Sequence, residues 1–549
     1  MTVWTSAQHP FQVRAELARI FDLPLQRVQV IVPYVGGGFG SKSYTKIEPL
    51  AVSLSRAAGR PVRLALSVEE AFKTTRRHAA RCTIKTGVMQ DGTFVARHCR
   101  VELDTGAYAD NGPLGCQRAG DRIPGPYRFP HLRVDSYAVY TNTTPAGSFR
   151  SIGAPQAAWA SESQIDMMAA ALGIDPLALR LKNLVAKGEE VRRGMRPLDG
   201  SPSEGLHRAA EAIGWGEMPA QVPDVKRGKG LGCNVSNVGS VPSSTAIVRM
   251  HVDGSLTVMV GTTEIGQRSR VVLAQVAAQV LEVPLERVQV VASDTSIVPY
   301  DRSTGSSRST TLMGLAVQRA AQEVQTQLLD LAAQHFNSRA ESLVMHSGQV
   351  YDQDGQVKFS DLIQEEFDRG AGELIGRGYV SPRQHDGALL QSPVFWEIGL
   401  AAVEVEVDET TGVLRLPQYI SVADVGKAIH PQQCEGQDEG AVMQGIGHTQ
   451  FEAIHYEAGH LLNPNLIDYR VPTFGDVPNY FHSILIENGD GPGPFGAKGL
   501  GEGSIVAAAP AIANAIYQAT GVHIKTLPLT PERVWRALRH RSSVSQDRG

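Results

Sequence analysis

Hydrophobic positions along this chain change period in a way that repeats. TVWTSAQ (2–8) reads as a strand ending at Gln8. Val13, Leu17, Ile20 and Phe21 then recur at helical spacing, and RVQVIVPYV (27–35) returns to strand character. The same order comes back later. SLTVMVG (255–261) leads through TEIGQ to Gln267, Val272, Val276, Val280 and Leu281 form a helical stripe, and VPLERVQVV (283–291) echoes LPLQRVQVI (23–31). The copies stand about 260 residues apart, which predicts two related halves facing one another.

Between the copies the pattern predicts strands at Arg63–Val68 and within Cys82–Val101, with a hairpin turn at Asp91-Gly92. Helices are expected over Ala157–Leu172 and 175–185. A polar passage at 221–230 marks a boundary between a first domain, 1–222, and a second, 223–540. Further hairpins are expected at Asp253-Gly254, Asp354-Gly355 and 408–412, a long helix at 312–336, and a disordered tail at 541–549. Strands followed by helices, without regular βαβ units, predict an α+β fold with mixed sheets and packed helices.

Near the far end, GPGPFGAKGLGEGS (491–504) runs into SIVAAAPAIANAIYQATG. The pattern predicts a helix capped by Ser504, kinked at Pro510 and ended by Gly521. Glu502 stands at the junction. Spacing alone allows a first-turn acid facing the helix dipole or a base held on a glycine frame.

A chain of 549 residues is too long for one core. A net charge of −4 implies no general attraction to nucleic acid or membrane, and no apolar run is long enough to span a bilayer. MTVWTSAQHP lacks the regions of a signal peptide, so a cytoplasmic protein is expected. Five scattered cysteines without a CxxC pair argue against a disulfide framework, structural zinc or an iron–sulfur cluster in this chain. His448, His455 and His460 fit no common ligand spacing.

GGGFGSKS (36–43) falls short of a phosphate loop because Ser41, not glycine, precedes Lys42. Gly491, Gly493 and Gly496 match GxGxxG without a βαβ context, and GxSxG is absent. What remains is five glycine-rich loops, 36–40, 145–153, 261–267, 304–309 and 496–503. Their only charges are Arg150, Glu264, Arg308, Lys498 and Glu502. Loops of this kind offer backbone N–H groups to a large anionic ligand, and together they predict a big buried cofactor.

VGGGFGSK, AGSFRSIGAPQAAWASES, GTTEIGQ, TGSSRST, DVGKAIHP with EGQDEGAVMQGIG, and KGLGEGS follow one another along nearly the whole chain. In that order they resemble the molybdenum-binding subunit of the xanthine dehydrogenase and aldehyde oxidase family. The resemblance implies two molybdopterin-binding domains and a molybdenum ion held by the pterin dithiolene, with no protein metal ligand and the cytosine dinucleotide form of the cofactor. It implies that Gln8 bonds the apical oxo ligand and that Gly37, Gly38 and Phe39 lie beside the metal. Arg150 would anchor substrate or stabilise developing negative charge, Glu502 would be the general base, and Gly266, Gln267, Gly305, Ser306, Ser307 and Ser309 would contact pterin and phosphates.

The implied reaction is oxidation of an aldehyde or N-heteroaromatic carbon with water as oxygen source. Electrons would leave through iron–sulfur and FAD subunits. Three departures bear on substrate. Ser43 stands where purine-oxidising members carry a glutamate. Ser201 and Ser236 fall, loosely aligned, where ring-clamping phenylalanines are found. Gly147 stands about where carbon monoxide dehydrogenases carry a copper-binding cysteine. The family's front domain has no counterpart ahead of Thr2, so either a separate polypeptide supplies it or the chain is a truncated product. The alternative is a cofactor-binding or scaffold fragment inactive without that partner.

Overall fold

The computed structural model describes residues 1–217, 223–238, 243–353, 355–367, 370–381 and 393–546, the last six as backbone. Its central sheet takes Val225–Val238, Phe395–Asp408, Leu414–Asp424 and Tyr480–Ile486 in that spatial order; the first three strands run antiparallel and the last lies parallel to its neighbour. Ile398, Leu400 and Ala402 face Leu206 and Ala209 of helix Pro202–Ala212. Ala401, Val403 and Val405 face helices Gly503–Thr520 and Pro431–Gln450. Burial on both faces explains the nearly unbroken apolar run of the strand from 395.

The helix from Gly503 lies unusually close to this sheet. Gly228, Gly230 and Gly232 line one strand face at period two. A Cβ there would come within 2.5, 2.2 and 2.3 Å of the carbonyl oxygens of Ala515, Ala511 and Ala507, spaced four apart on the helix. Larger residues at either set would lift the helix away. At its start, a Cβ on Gly399 would meet Gly503 C at 2.5 Å, so the sheet fixes where the helix begins. The helix opens at Gly503 with Glu502 in the cap position, two residues before the expected cap, Ser504. Ser504 does not cap it; its hydroxyl donates to buried Asp438. Pro510 lies inside the helix, and Gly521, at φ 67°, ends it.

A second sheet orders Glu373–Val380, Ser244–His251, Leu256–Val260 and Val288–Ala292, with helices Ser269–Leu281 and Gly314–Phe336 against its core. Leu256–Val260, Ser269–Leu281 and Val288–Ala292 form the second repeat copy, its strands parallel with Leu256 opposite Val288. Thr2–Trp4, Pro10–Ile20 and Gln29–Ile31 form the first, parallel with Thr2 opposite Gln29. The two copies touch: Val32 N–H donates to Ser293 O at 2.9 Å and Thr295 N–H to Val30 O at 3.0 Å. A third sheet, Ala79–Val88, Phe94–Gly106 and His131–Tyr140, contains the hairpin at Asp91-Gly92.

Two expectations read differently in the structure. Arg63–Val68 is not a strand: 61–67 pairs with none among the described residues, and helix Val68–Thr74 follows. An extended segment without a neighbour has nothing to complete its ladder. Helical backbone, Pro531–Gln546, enters the segment expected to be disordered, and 547–549 lie outside the described residues. Phe94, Tyr127 and Ile165 share one hydrophobic cluster with Leu231, Trp396 and Ile420, so the stretches on either side of 222 pack together. Asp354 also lies outside the described residues, although Gln349–Asp352 and Gly355–Lys358 pair antiparallel around it. Among the described residues, no helix is long and apolar enough to cross a membrane.

Candidate active site

The five glycine-rich loops are tied to one another by hydrogen bonds. Gln8, just ahead of helix Pro10–Ile20, spans two of them: its Nε2 donates to Thr304 O at 2.8 Å and its Oε1 accepts from Gly40 N at 3.1 Å. Thr263 Oγ1 donates to Gln8 O at 3.2 Å, and Val35 N donates to Glu264 O at 3.0 Å. Ser307 Oγ accepts from Gly501 N at 3.1 Å. Arg150 Nε donates to Gly501 O, and the Arg150 guanidinium lies 6.0 Å from the Phe39 ring. Segments about 500 residues apart in sequence thus meet in one place.

Glu502 faces this convergence. Its Oε1 lies 3.5 Å from Ser151 N, and its charge acts on Arg118, Arg122 and Arg150. Arg150 is buried and committed to the protein. Besides Gly501 O, it donates to Gln437 O at 3.1 Å and Gln444 Oε1 at 3.3 Å, so it clamps helix Pro431–Gln450 to the Glu502 loop. Arg122 is similarly used, on Asn237, Ser151 O and Ile152 O. Arg118, one turn earlier on helix Gly112–Arg122, lies 3.9 Å from Asp121. Sequence reasoning missed Arg118 and Arg122. Their signal was two arginines four apart on one short helix, which only the fold connects to Glu502.

The remaining predicted residues divide into turn backbone and internal braces. Gln267 is a brace: its Nε2 donates to Thr263 O and Ser269 Oγ, and its Oε1 accepts from Ile265 N. Ser306 and Ser307 both take left-handed backbone, φ 55° and 49°, a geometry that turns successive N–H groups toward one point. Ser309 opens a π-helical turn, Ser309–Met313. Arg308 is spent on Asp301 at 2.7 Å, and Lys498 on Asp199 and Asp424, at 3.2 and 2.9 Å. His9 joins the site unpredicted; burial and then Arg302 push its pKa down to about 4, so it is neutral at pH 7.

The donor set suits a large anionic group. A Cβ added at Gly36 or Gly266 would meet no atom within 4 Å, and one at Gly305 only His9 Nε2 at 3.7 Å, so a cradle remains where side chains would intrude. Gly38 is filled from behind, with Gln8 Oε1 2.6 Å from its would-be Cβ. Among the described residues, no group of three or more His, Cys, Asp or Glu could hold a metal ion.

Fold and site together define a large subunit of a molybdenum hydroxylase. A molybdopterin cofactor-binding domain matches residues 1–184, and a second such domain matches 208–478. The chain is 34% identical to the putative xanthine dehydrogenase molybdenum-binding subunit of Escherichia coli K12, over 97% of this chain and 72% of that one. It is 29% identical to the gamma subunit of the 6-hydroxypseudooxynicotine dehydrogenase complex of Paenarthrobacter nicotinovorans, over 97% of this chain and 69% of that one. Quinoline 2-oxidoreductase from Pseudomonas putida 86 has the same fold, with a TM-score of 0.87 at 28% identity, covering 98% of this chain and 72% of that one. The chain belongs to the molybdenum-binding subunits of the xanthine dehydrogenase family and is a molybdopterin-dependent oxidoreductase.

Proposed function

We propose that this subunit oxidises an aldehyde or an N-heteroaromatic carbon, with Glu502 as the base. The observation that carries this is the partly buried Glu502 carboxylate at the convergence of the five loops, 3.5 Å from Ser151 N and with its charge acting on the buried Arg122 and Arg150. Bound molybdenum–pterin would supply the two-electron acceptor and the water-derived oxygen. Glu502 takes up the proton released as oxygen is transferred. Arg150, which also serves Gly501, Gln437 and Gln444, and Arg118 both feel the Glu502 charge and are the candidates for an anionic or polar group on the substrate. Gln8 has spent one of its two amide hydrogens on Thr304, and we assign the other to a cofactor ligand. Gly36–Phe39, Gly266 and the Ser306–Ser309 turn offer backbone N–H groups to pterin and phosphates, in keeping with the cytosine dinucleotide form. Ser43 carries no charge for a purine, and a side chain at Gly147 would come 2.5 Å from Thr75 Oγ1, which disfavours a cysteine there. Glu502→Gln should abolish turnover and leave molybdenum content unchanged; an active variant would end the assignment.

Partner polypeptides follow from a trough of about 2670 Å³ beside the first repeat copy. Thr2–Trp4 and the unpaired 61–66 segment line it. So do buried polar atoms with no hydrogen-bond partner: His78 Nε2, Gln156 Oε1, Trp159 Nε1 and both His448 ring nitrogens. A polypeptide seated there would cover this lining, and we assign the trough to the front domain that the family resemblance implies. Iron–sulfur and FAD subunits of a cytoplasmic complex would carry the electrons onward. In the alternative reading the chain is an inactive cofactor-binding fragment until the trough is filled. Molybdenum and pterin content, measured with and without the co-expressed neighbouring polypeptide, separates the two.

A further inference from the structure

The strand VFWEIGLAAV carries a glutamate where every neighbour is apolar, and Glu397 is wholly buried. Its Oε1 accepts from Gly501 N at 2.9 Å and Glu502 N at 2.8 Å, and Ser307 Oγ donates to its Oε2 at 3.0 Å. Ser307 in turn accepts from Gly501 N. One carboxylate therefore joins the loop bearing Glu502 to the turn, Ser306–Ser309, on the cofactor side of the site. The joint is tight: a Cβ on Gly503 would meet Glu397 Cγ at 3.0 Å, and one on Gly499 would meet Ser307 O at 1.7 Å. Burial and then the charge of Glu502 push the Glu397 carboxyl above the usual range, and the hydrogen bonds from Glu502 N, Gly503 N and Ser307 Oγ work against that rise; the charge of Glu397 in turn acts on Arg122 and Arg150. Across the sheet its partner is Ser236, whose hydroxyl is turned to Asn234, and Asn234 Nδ2 reaches Gly503 O at 3.4 Å.

We propose that Glu397 is a positioning residue. It holds the backbone of Gly501 and Glu502 in register with the Ser307 turn, so that the base and the cofactor cradle move as one body. This rests on Glu502 being the base. A carboxylate is suited to the task because it accepts three hydrogen bonds and offers no donor to compete with the two loop N–H groups. Gln at 397 keeps an oxygen for those N–H groups but turns an NH2 toward Ser307, whereas Ala leaves both buried N–H groups unmet.

The test uses the assembled, molybdenum-loaded complex and three readouts. In Glu397→Ala, kcat should fall about 100-fold, the loss expected for a base displaced by roughly 1 Å, with KM changed less than about threefold. Molybdenum content should stay near wild type, and amide hydrogen exchange should rise selectively in the peptide covering 498–503. Glu397→Gln should give an intermediate kcat with smaller exchange gains, which keeps the idea testable if the Ala variant fails to fold. Wild-type kcat and exchange in both variants would overturn the proposal, as would activity lost only in step with molybdenum. An active Glu502→Gln enzyme would remove the base assignment, yet the exchange readout would still report the clamp, so the two failures are distinguishable.

Discussion

The two copies of the strand–helix–strand unit share a backbone plan and differ in their surroundings. The second copy sits in a four-stranded sheet over a large apolar core, and its strands are five residues long. The first has two three-residue strands that pair with each other, over a small core of Val13, Leu17, Val28 and Val30. Each copy places a glutamine between its first strand and its helix. In the second copy Gln267 bonds within its own loop, and nearby Glu264 accepts from the N–H groups of Gly266, Arg268 and Arg270 at the helix start. In the first copy Gln8 reaches across to Gly40 and Thr304. A loop on a well-supported sheet can be braced locally. One on a thin sheet borrows rigidity from neighbouring loops, and that borrowing brings Gln8 to the candidate site.

The comparison breaks most directly on the two glutamines. Gln8→Ala removes an inter-loop tie and a donor we assign to the cofactor, so kcat should fall on the order of 10²–10³-fold with molybdenum retained. Gln267→Ala should cost about 1 kcal/mol of stability and only a few-fold in kcat, since its loop keeps Glu264. Equal losses in steady-state assays would mean that the copies are equivalent after all.

The residue after each glutamine sharpens it. Arg268 in the second copy begins a helix with left-handed backbone; His9 in the first is buried. His9 falls from 6.5 to about 4 on folding, chiefly by burial. A depressed histidine binds protons in the unfolded chain first, so its stability contribution is complete above about pH 6.5 and drains away as pH falls to about 4. The drop is about 3 kcal/mol by the usual conversion. Urea midpoints against pH should show His9→Asn losing that much of the acid-side slope relative to wild type; parallel curves would contradict it.

How far the chain announces this differs by feature. The repeat was legible because PL-x-RVQV is a local pattern, and the glycine loops were legible because close backbone approach leaves no other residue choice. The Gly228, Gly230, Gly232 strip could have been read as a helix seat, since its period of two matches a strand face. Arg118 and Glu397 were not read, because each acquires its meaning from a segment more than 100 residues away. Glu397 left one usable trace, a carboxylate in an apolar strand. The 61–67 segment was misread for the converse reason: its alternation of Val62, Leu64 and Leu66 is that of a strand, and no strand lies beside it among the described residues. Arg150 was placed at the site by resemblance, and its hydrogen bonds, which show it working as a clamp, could not be foreseen from SFR.

The smallest effects test how the copies hold each other. Val30 N is buried and donates to Thr295 Oγ1 at 2.9 Å, while the partly exposed Gln29 Nε2 donates to both oxygens of Asp294 at 3.0 Å. Thr295→Val keeps the shape and removes the acceptor, leaving a buried N–H without a partner, which costs about 1–3 kcal/mol. Gln29→Ala removes a side-chain contact that water can replace, and should cost under about 1 kcal/mol. If the copies are docked through backbone, thermal unfolding will order the two variants this way. The Thr295 variant should also raise exchange at Thr2–Trp4 and Gln29–Ile31 while Leu256–Val260 stays protected, because only the thinner copy depends on its twin. A reversed order would make the polar surface pair, and not the buried backbone, the seam between them.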